Sequence, residues 1–533
     1  VYNSIVLMKI INRPTWWTFL LFLPVINLLM FPIVWVETLR SFGKNTTLDT
    51  FLGVITLGFY IYYINYTQDV QYITDRSLKP ANATADTISS LLFAIIVATF
   101  VHGYFIQPFV IPSSSLEKSL LIGDFLFVSK QNYGARTPMT PIAAPMVHDS
   151  IPFVHTLSYL AKPQLPYFRF PGFEKIKNND IVVFNWPRDT LFNMYITADK
   201  RYDKPIDKKT NYVKRCVGIP GDSLEIKNGI VWINGKELIL PERAKPQYNY
   251  NIYSSKGVSS ELLREVGSTE FMRCYEVTIY NNEQSDALQK YARAVEKISD
   301  DGKFKIYTDA YGIPDSAIRK YSLSVQEIYQ LNLTATLTFD AAKKLKDNKT
   351  AIDSLSRIIK EPESTIFPCK EHDGLLTENK WSGDNYGPIY IPEAGKTVAL
   401  NLNTLPFYKI IISEYEKNKL KVVGNDIYIN DKKATSYTFK QNYYWMMGDN
   451  RHNSLDARYF GYTPEDHIVG KPIFIWMSWD SSASGLNKIR WERLFTTVNG
   501  EGQPQSYFKY FLGLLALYFV GEYFWKKRKA KTE

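Results

Sequence analysis

The chain has 533 residues, enough for three or four domains of about 150 residues each. It carries 63 Lys and Arg against 53 Asp and Glu, a formal net charge of +10, and 45% of its residues are hydrophobic and 15% aromatic. This composition excludes a mainly disordered chain, the three cysteines exclude a disulfide-stapled scaffold, and a mean hydropathy of −0.21 excludes a protein wholly embedded in a membrane.

Hydrophobic residues are concentrated at the two ends of the chain. Four uncharged or nearly uncharged stretches are long enough to cross about 30 Å of hydrocarbon as helices. These stretches are residues 15–36, 51–68, 87–109 and 507–525. The last is the least apolar, because Lys509 and Glu522 interrupt it. Each stretch is also compatible with a buried helix of a soluble core, but the lengths favour transmembrane spans.

The basic residues predict the orientation of these spans. Residues 526–531 have the sequence KKRKAK, which the positive-inside rule places in the cytoplasm. If the fourth span, residues 507–525, crosses the membrane, residues 112–506 lie outside the cytoplasm. Arg76 and Lys79 then lie in a cytoplasmic loop before the third span. The chain starts at Val1 in the middle of an apolar pattern, so we expect further sequence upstream.

Three adjacent serines follow the third predicted span. Ser113 to Ser115 lie between Pro112 and Leu116, just above the predicted membrane surface. Taken alone, this segment is equally compatible with an ordinary serine-rich turn. The alternating run at residues 125–128 predicts a β-strand directly downstream.

More short strands are predicted beyond this point. Residues 177–187 are a polar turn followed by an apolar run, and Pro-Gly-Asp and Asn-Gly dipeptides divide residues 212–236 into short strands typical of a hairpin-built fold. Lys214 stands within an apolar run, close to Val213 and Cys216. Such a lysine usually lies on the solvent face of a strand. If it is buried instead, its pKa falls and the neutral amine becomes a usable base.

A polar segment at residues 445–471 contains a Gly-Asp-Asn turn followed by Ser454, Asp456 and Arg458. In an extended chain, residues at positions i, i+2 and i+4 point to the same side. We therefore predict that Asp456 and Arg458 pair and fix this loop, while Ser454 offers a hydroxyl group. A solvated polar loop would explain any one of these residues, but it fits the whole set poorly.

In this order and behind a membrane anchor, the segments resemble the characteristic boxes of bacterial type I signal (leader) peptidases. The matching stretches are IPSSSLEKSLLIGDFLFVSK, NNDIVVFNWP, YVKRCVGIPGD with NGIVWINGK, and GDNRHNSLDARYFGYTPEDHIVGK. The length and the extra N-terminal spans are similar to the enlarged signal peptidases of Bacteroidetes.

The resemblance implies roles for individual residues. Ser115 matches the nucleophile of the family and Lys214 its general base. Ser113 matches the hydroxyl that helps to bind the oxyanion, together with the backbone N–H of Ser115. The positions that match the lining of the small S1 and S3 substrate pockets are Phe109, Ile111, Pro112, Leu116, Leu120, Tyr212 and Val213.

Further positions match the supporting residues of the family. Ser454 matches the serine that orients the lysine, and Asp456 and Arg458 match a supporting ion pair. The departures from the family pattern are Leu116 in place of Met, Lys118-Ser119 in place of Pro-Thr, and Asn179 in place of Gly.

The chemistry of a Ser–Lys pair is consistent with this resemblance. A serine hydroxyl is a poor nucleophile unless a base removes its proton during attack. None of the six histidines stands in a recognisable Ser-His-Asp setting. A lysine can act as the base if burial lowers its pKa from about 10.4 towards neutrality, which costs about 3–4 kcal/mol.

Other interpretations remain. Ser115 to Lys118 also has the S-x-x-K spacing of penicillin-binding proteins and β-lactamases, but their K-T-G motif is missing and Lys396-Thr397-Val398 is only similar to it. A self-cleaving Ser–Lys repressor would need a DNA-binding domain and no membrane anchor. A catalytically silent, membrane-anchored interaction protein is the alternative from a different class.

No cofactor or metal is predicted, because the sequence lacks H-E-x-x-H and its cysteines lack paired spacing. Cys274 and Cys369 could form a disulfide outside the cytoplasm. Nucleic-acid binding is not expected, since no basic helix, zinc-binding spacing or RNP-like strand lies between the spans.

We expect a mainly β catalytic core of the signal-peptidase type with an α+β insertion, anchored by N-terminal and C-terminal transmembrane helices. The predicted units are a membrane region at 1–110, the first part of the core at 111–246 with a small insertion at 136–172, an α+β insertion at 247–383, the second part of the core at 384–490, and a C-terminal helix with its basic tail at 507–533.

The resemblance implies a multi-pass serine endopeptidase of the bacterial inner membrane, with the catalytic domain on the periplasmic side and the C-terminus in the cytoplasm. Such an enzyme cleaves N-terminal signal peptides from exported preproteins after small residues, the A-x-A pattern. Preproteins and the lipid bilayer are the expected partners, and the secretion translocon is a candidate partner.

Overall fold

The computed structural model of the protein describes residues 1–80, 82–151, 153–154, 156–191, 201–299, 302–369, 381–483 and 485–532. Parts of both predicted insertions, namely residues 152, 155, 300–301 and 370–380, lie outside the described residues.

The described helices, in chain order, are α1 (Tyr2–Ile10), α2 (Trp17–Leu20), α3 (Ile26–Ser41), α4 (Thr47–Ile55), α5 (Phe59–Thr67), α6 (Ala83–Tyr104), α7 (Ser260–Glu265), α8 (Asn282–Gln289), α9 (Asp315–Lys320), α10 (Phe339–Asp347), α11 (Leu405–Ile410), α12 (Ala457–Phe460) and α13 (Phe508–Thr532).

The described strands are β1 (Ile106–Val110), β2 (Asp124–Ser129), β3 (Ile181–Asn185), β4 (Asn211–Gly218), β5 (Ser223–Lys227), β6 (Ile230–Ile233), β7 (Lys236–Glu237), β8 (Gln247–Tyr253), β9 (Glu270–Phe271), β10 (Arg273–Thr278), β11 (Ala292–Lys297), β12 (Lys303–Thr308), β13 (Ser324–Ile328), β14 (Asn332–Thr338), β15 (Ser354–Arg357), β16 (Tyr386–Tyr390), β17 (Thr397–Ala399), β18 (Leu420–Val423), β19 (Asp426–Ile429), β20 (Lys432–Lys433), β21 (Ser436–Thr438), β22 (Tyr443–Met447), β23 (Thr463–Pro464), β24 (Ile468–Ser478) and β25 (Thr496–Thr497).

The first two predicted spans are wrong as continuous helices. In the first, the chain turns between α2 and α3 at Val25, whose φ of 69° is incompatible with a helix. In the second, Gly58 adopts a left-handed conformation with φ 84° between α4 and α5. The 16 residues of α3 extend only about 24 Å, less than the hydrocarbon core of a bilayer.

The third predicted span is a helix. Among the described residues, α6 is the one helix long and apolar enough to cross a membrane. It has 22 residues, about 33 Å in length. Asn82 caps its start by accepting a hydrogen bond from Ala85 N. It ends at Tyr104 rather than near residue 109, because β1 begins at Ile106.

The predicted C-terminal stretch forms α13, a 25-residue helix that runs on into the basic tail. Unlike α6, this helix does not qualify as a candidate membrane span, so the prediction of a C-terminal span is not supported. Its first turn packs on the β-sheet domain. The ring of Phe495 stacks on Phe508 and Phe511, with centroid distances of 5.8 and 4.5 Å.

The central domain is built on an antiparallel eight-stranded sheet with the order β1-β2-β24-β3-β4-β22-β23, in which β25 pairs with β24. Both faces of β3 are buried: Val182 and Phe184 pack in one apolar cluster, and Ile181 and Val183 in another. This arrangement explains why the sequence of β3 is a continuous apolar run. The predicted β-rich core is confirmed.

The larger cluster lies between this sheet and the smaller sheets β16-β5-β6-β7, β17-β21 and β18-β19-β20. It is rich in aromatic side chains, including the fully buried Trp445, Tyr443 and Phe439. Trp445 contacts Phe367, Tyr386 and Tyr462 with ring centroids 5.4–6.2 Å apart, and this packing holds β22 in place.

Residues between β7 and β16 form two further four-stranded sheets, β15-β8-β14-β9 and β11-β12-β10-β13, each with its own apolar cluster and helices. The mixed α and β character predicted for this segment is therefore present. Cys274 on β10 has a free, buried thiol, so the disulfide with Cys369 is not formed.

Candidate active site

Ser115 lies on a 3₁₀ turn, Ser114–Leu116, that follows β1 closely. The β1–β2 hairpin fixes the path of the chain into this turn, because Ile111 N donates to Asp124 O at 2.9 Å and Gly123 N donates to Ile111 O at 3.0 Å. Ser115 is buried, with 7% of its surface exposed. The hydroxyl is thereby withdrawn from bulk water.

Lys214 lies on β4, opposite Val182 of β3. Its Nζ is 2.5 Å from Ser115 Oγ, although the two residues are 99 positions apart in the chain. Only 5% of the surface of Lys214 is exposed. The structure thus brings a buried amine and a buried hydroxyl into direct contact.

Burial lowers the pKa of Lys214 to about 8. The charge of Arg458 lowers it further, whereas Asp456 and Asp449 raise it. The ring of Tyr212, 5.4 Å from Nζ, also favours the charged form. Desolvation outweighs these favourable interactions, so about a tenth of the amine is neutral at pH 7 and can accept a proton.

Asp456 and Arg458 form the predicted ion pair and are both fully buried. Arg458 donates from Nε to Oδ1 at 2.9 Å and from Nη2 to Oδ2 at 2.8 Å. The predicted extended geometry is wrong, because Asp456 is the N-cap of α12 and Arg458 lies inside that helix. Although burial alone would raise the pKa of the Asp456 carboxyl, Arg458 holds it below its usual value.

This ion pair fixes two separate segments. Gly448 N donates to Asp456 Oδ2 at 3.0 Å, and Arg458 donates to Gly383 O and Arg451 O at 3.0 and 2.6 Å. The turn that follows β22 is therefore held at the position from which it reaches the serine.

A second buried ion pair, between Arg215 and Asp449, was not predicted. Arg215 donates from Nε and Nη2 to the two oxygens of Asp449 at 2.8 and 2.6 Å, and Ser119 Oγ donates to Asp449 at 2.5 Å. Each partner adjoins a residue of the site: Arg215 follows Lys214, and Asp449 follows Gly448. These positions beside site residues are the feature of the sequence that could have indicated the pair.

The loop after β22 holds the serine turn through hydrogen bonds to its backbone. Asn450 donates from its backbone N to Ser115 O at 3.1 Å and from Nδ2 to Ser114 O at 3.2 Å. Gly448 has to be glycine at this contact, since a Cβ there would lie 2.5 Å from Ser115 O and 2.2 Å from Ser454 Oγ. The role of Asn450 was also missed by the sequence analysis.

The segment between the two parts of the core also contacts this loop. Glu270 on β9 accepts hydrogen bonds from Asn450 Nδ2 at 2.8 Å and from Asn453 Nδ2 at 3.2 Å. Thr269 Oγ1 lies 3.3 Å from a carboxylate oxygen of Glu117, two residues after the serine. Strand β9 thus forms one border of the site.

Ser454 and Ser113 lie beside the serine turn. Ser454 packs against Gly448, but its buried Oγ has no hydrogen-bond partner among the described residues, so the expected bond to Lys214 is not formed in this structure. Ser113 precedes the 3₁₀ turn in an extended conformation and is exposed, as an oxyanion donor facing a bound substrate would be.

Most of the predicted pocket residues belong to one apolar cluster below the serine turn. Its members include Ile111, Leu116, Leu120, Phe109 and Val213. Two residues lie elsewhere. Pro112 is exposed, and Tyr212 lies on the face of β4 that carries Lys214, opposite Val213, where it stacks on Trp186 at 5.2 Å with an angle of 3° between the rings.

The alternative base Lys118 points elsewhere. Its Nζ lies 3.7 Å from a carboxylate oxygen of Glu117 and donates to Thr269 Oγ1 at 3.3 Å. Both ring nitrogens of His452 already form hydrogen bonds, since Nδ1 accepts from Asn249 N and Nε2 donates to Asp384. The geometry therefore favours Lys214 over both groups. Within the described parts of the chain, no cluster of three metal-ligating side chains is present.

A family model described as signal peptidase, peptidase S26, matches residues 84–297 and 394–479, more than half of the chain. The chain belongs to this signal peptidase family. It is accordingly a hydrolase of peptide bonds. The first 75 residues match a separate family of unknown function.

Two individual signal peptidases are similar to the chain over about three quarters of their length, and a third over about half of its length. Signal peptidase I of Buchnera aphidicola subsp. Acyrthosiphon pisum is 23% identical over 391 residues, covering 73% of this chain and 74% of the relative. Signal peptidase I of Haemophilus influenzae is 20% identical over 431 residues, covering 79% and 78%. Signal peptidase I of Rickettsia massiliae matches at 24% identity over 31% of this chain and 49% of its own length.

The buried ion pair yields a stability prediction. Asp456→Ala leaves the guanidinium of Arg458 buried without its counter-charge, so we expect a loss of about 3–5 kcal/mol in the free energy of unfolding. Removing the exposed partner of Lys433 by Asp426→Ala is the matched control, and we expect it to change stability by less than about 1 kcal/mol. Thermal denaturation of both variants measures the difference. Equal destabilisation would contradict a structural role specific to the buried pair.

Proposed function

We propose that Ser115 is the nucleophile and Lys214 the general base of a signal-peptide-cleaving serine protease. Membership of the signal peptidase family identifies signal-peptide-bearing preproteins as substrates. The observation that carries the assignment of residues is the 2.5 Å separation between Lys214 Nζ and Ser115 Oγ inside a buried site. A nucleophile and its base need this hydrogen-bonding distance.

In the first half of the proposed reaction, neutral Lys214 takes the proton of Ser115 Oγ as that oxygen attacks the carbonyl carbon of the scissile bond. The carbonyl oxygen becomes an oxyanion, which the Ser115 N–H and the hydroxyl of Ser113 stabilise. Each such donor is worth about 3–4 kcal/mol. The resulting Lys214 ammonium then protonates the leaving amine, the C–N bond breaks, and an ester with Ser115 remains.

In the second half, a water molecule replaces the departed amine. Lys214, again neutral, removes a proton from this water, and the hydroxide oxygen attacks the ester carbon. Collapse of the second oxyanion breaks the bond to Ser115 Oγ, which regains its proton from Lys214. The mature protein with its new N-terminus leaves in the first half, and the signal peptide leaves in the second.

The two ion pairs act as supports in this proposal. Asp449 and Asp456 are each neutralised by an arginine with two parallel hydrogen bonds, so neither carboxylate is available to hold the lysine fully protonated. In this proposal Ser454, whose buried hydroxyl lacks a partner among the described residues, orients the lysine during the reaction.

Substrate preference follows from the side chains near the nucleophile. Leu116 and Leu120 are 1% exposed and Ile111 is 3% exposed, so they already fill the space below the serine turn. We expect any subsites that they form together with the partly buried Phe109 and Val213 to be shallow and apolar. We expect small residues at the −3 and −1 positions, the A-x-A pattern, with Pro112 and Tyr212 at the rim.

Anchoring in the membrane is proposed through α6 and α13. Both helices expose large apolar side chains, such as Phe93 (68%) on α6 and Leu517 (69%) on α13. The end of α6 and the start of α13 both join the catalytic domain, so two crossings would return the basic tail at residues 526–531 to the cytoplasm. The catalytic core, first part 111–246 and second part 384–490, then lies on the periplasmic side of the inner membrane.

Lys214→Ala is expected to lower kcat/KM for a preprotein by about 10²–10⁴-fold, because the reaction loses its general base. Cleavage of a purified preprotein in detergent measures this loss. Lys118→Ala is the matched control: it removes a lysine three residues from the nucleophile that does not contact it, so activity should change little. Similar losses in both variants would refute the assignment of the base.

The lowered pKa of Lys214 predicts the pH dependence of cleavage. Only the neutral amine accepts the serine proton, so kcat/KM should rise as the pH increases and reach half of its maximum near pH 8. The Lys118→Ala variant should show the same profile. A rate that does not change between about pH 7 and about pH 9 would contradict a lysine base with this pKa.

The proposed orientation can be tested with an epitope fused after the last residue. Trypsin added to intact spheroplasts should degrade the catalytic core and leave the epitope intact, because the tail is on the cytoplasmic side. Trypsin added to inverted membrane vesicles should remove the epitope and spare the core. The reverse pattern would exclude this topology.

A further inference from the structure

A polar cavity of about 190 Å³ lies at the junction of the anchor helix and the catalytic domain, on a part of β4 separate from Lys214. This volume is much larger than the roughly 10–15 Å³ that a single water needs. One wall consists of residues at the end of α6, including His102 and Gly103. The opposite wall contains Asn185 and Asn211 from the ends of β3 and β4.

The charged groups that line this cavity are mainly cationic. They comprise Lys130, Arg136 and Lys208 against the single carboxylate of Asp207. That carboxylate is already engaged, because Oδ2 accepts from Met139 N and from Thr140 N at 2.9 Å. Thr140 Oγ1 also donates to Oδ1 at 2.6 Å. The cavity therefore has an excess of positive charge.

Lys130 and Arg136 form no direct ion pair with a described residue, although the charge of Asp207 favours the protonated form of both. Lys130 Nζ donates to Gly103 O at 3.1 Å, and Arg136 donates to Asp466 O and Asn185 Oδ1 at 2.5 and 2.8 Å. No carboxylate of the described residues forms an ion pair with either side chain. Burial, with the mutual repulsion of the two cations, lowers the pKa of Lys130 to about 7. An anion bound in the cavity would compensate the buried charge of Lys130 and reduce its repulsion from Arg136.

The surroundings indicate the source of such an anion. The cavity lies at the end of α6, the helix proposed to cross the bilayer, where lipid headgroups are found. Pro24, Val25 and Ile26, from the turn before α3, form an apolar part of the wall. The phosphate of a suitable ligand would contact the cationic side chains, and its apolar portion would contact Pro24, Val25 and Ile26.

We propose that this cavity binds the phosphate group of a membrane phospholipid through Lys130 and Arg136. The inference goes beyond peptide cleavage and rests on the proposed membrane anchoring through α6. Arg136 has five N–H donors, of which the bonds to Asp466 O and Asn185 Oδ1 use two, and Lys130 has two donors beyond the one that binds Gly103 O. The bound headgroup would fix the catalytic domain relative to the membrane surface.

The test uses the full-length chain in detergent, incubated with phosphatidylglycerol or with inorganic phosphate and examined by native mass spectrometry. We expect the wild type to retain phosphatidylglycerol and the double variant Lys130→Gln/Arg136→Gln to bind it at least tenfold more weakly. Lys130→Arg should retain binding because it keeps the charge. Lys175→Gln, at an exposed lysine that does not line the cavity, is the matched control and should also bind normally.

Each outcome decides the proposal. Equal lipid binding by the wild type and the double variant, or no binding by the wild type, overturns it. Inorganic phosphate that binds as tightly as the lipid, with the same dependence on Lys130 and Arg136, overturns the lipid source and leaves an anion site. Circular dichroism shows whether the double variant is folded. Ser115→Ala should bind lipid like the wild type, so a failed protease assignment is distinguishable from a failed lipid site.

Discussion

In the proposed mechanism, the site depends on keeping the amine of Lys214 uncharged beside the hydroxyl of Ser115. A pKa of about 8 for Lys214, against an ordinary value of 10.5, corresponds to about 3 kcal/mol disfavouring the charged amine. Burial on β4 supplies this effect, and the neighbouring carboxylates oppose it. Their pairing with Arg215 and Arg458 limits that opposition while keeping every buried charge compensated. The ion pairs, the glycine at position 448 and the loop that holds the serine turn can all be understood as consequences of this one requirement.

The sequence motifs predicted which residues meet, but not how they are supported. Ser115 and Lys214 could be paired across 99 positions because their segments resemble two of the characteristic boxes of signal peptidases. Arg215 and Asp449 were missed, since an Arg beside a Lys and an Asp in a polar turn resemble ordinary surface residues until the strands are paired. Ser454 shows the opposite case: its position matched a supporting serine, yet its hydroxyl contacts no described partner, because side-chain rotation is not determined by sequence spacing.

The hydropathy of the sequence correctly predicted which segments are apolar, but it did not predict where their helices are interrupted. The absence of charge in residues 15–36 and 51–68 correctly indicated apolar segments, but local backbone conformations at Val25 and Gly58 divide them into short helices. Those breaks depend on how α2 to α5 pack together, which hydropathy does not describe. In the region between the two parts of the core, periodicity predicted strands and the helix α10, whereas the contact of Glu270 with the loop after β22 depends on tertiary placement alone.

The strand order of the central sheet also constrains how the enzyme matures. Strand β24, at residues 468–478, separates β2 from β3. The N-terminal half of the chain, which carries Ser115 and Lys214, cannot complete its sheet until residues 468–478 have been synthesised. Under the proposed mechanism, a nascent chain that already contains both residues still lacks the strand that joins β2, which is close to the serine turn, to β3, which pairs with the lysine strand.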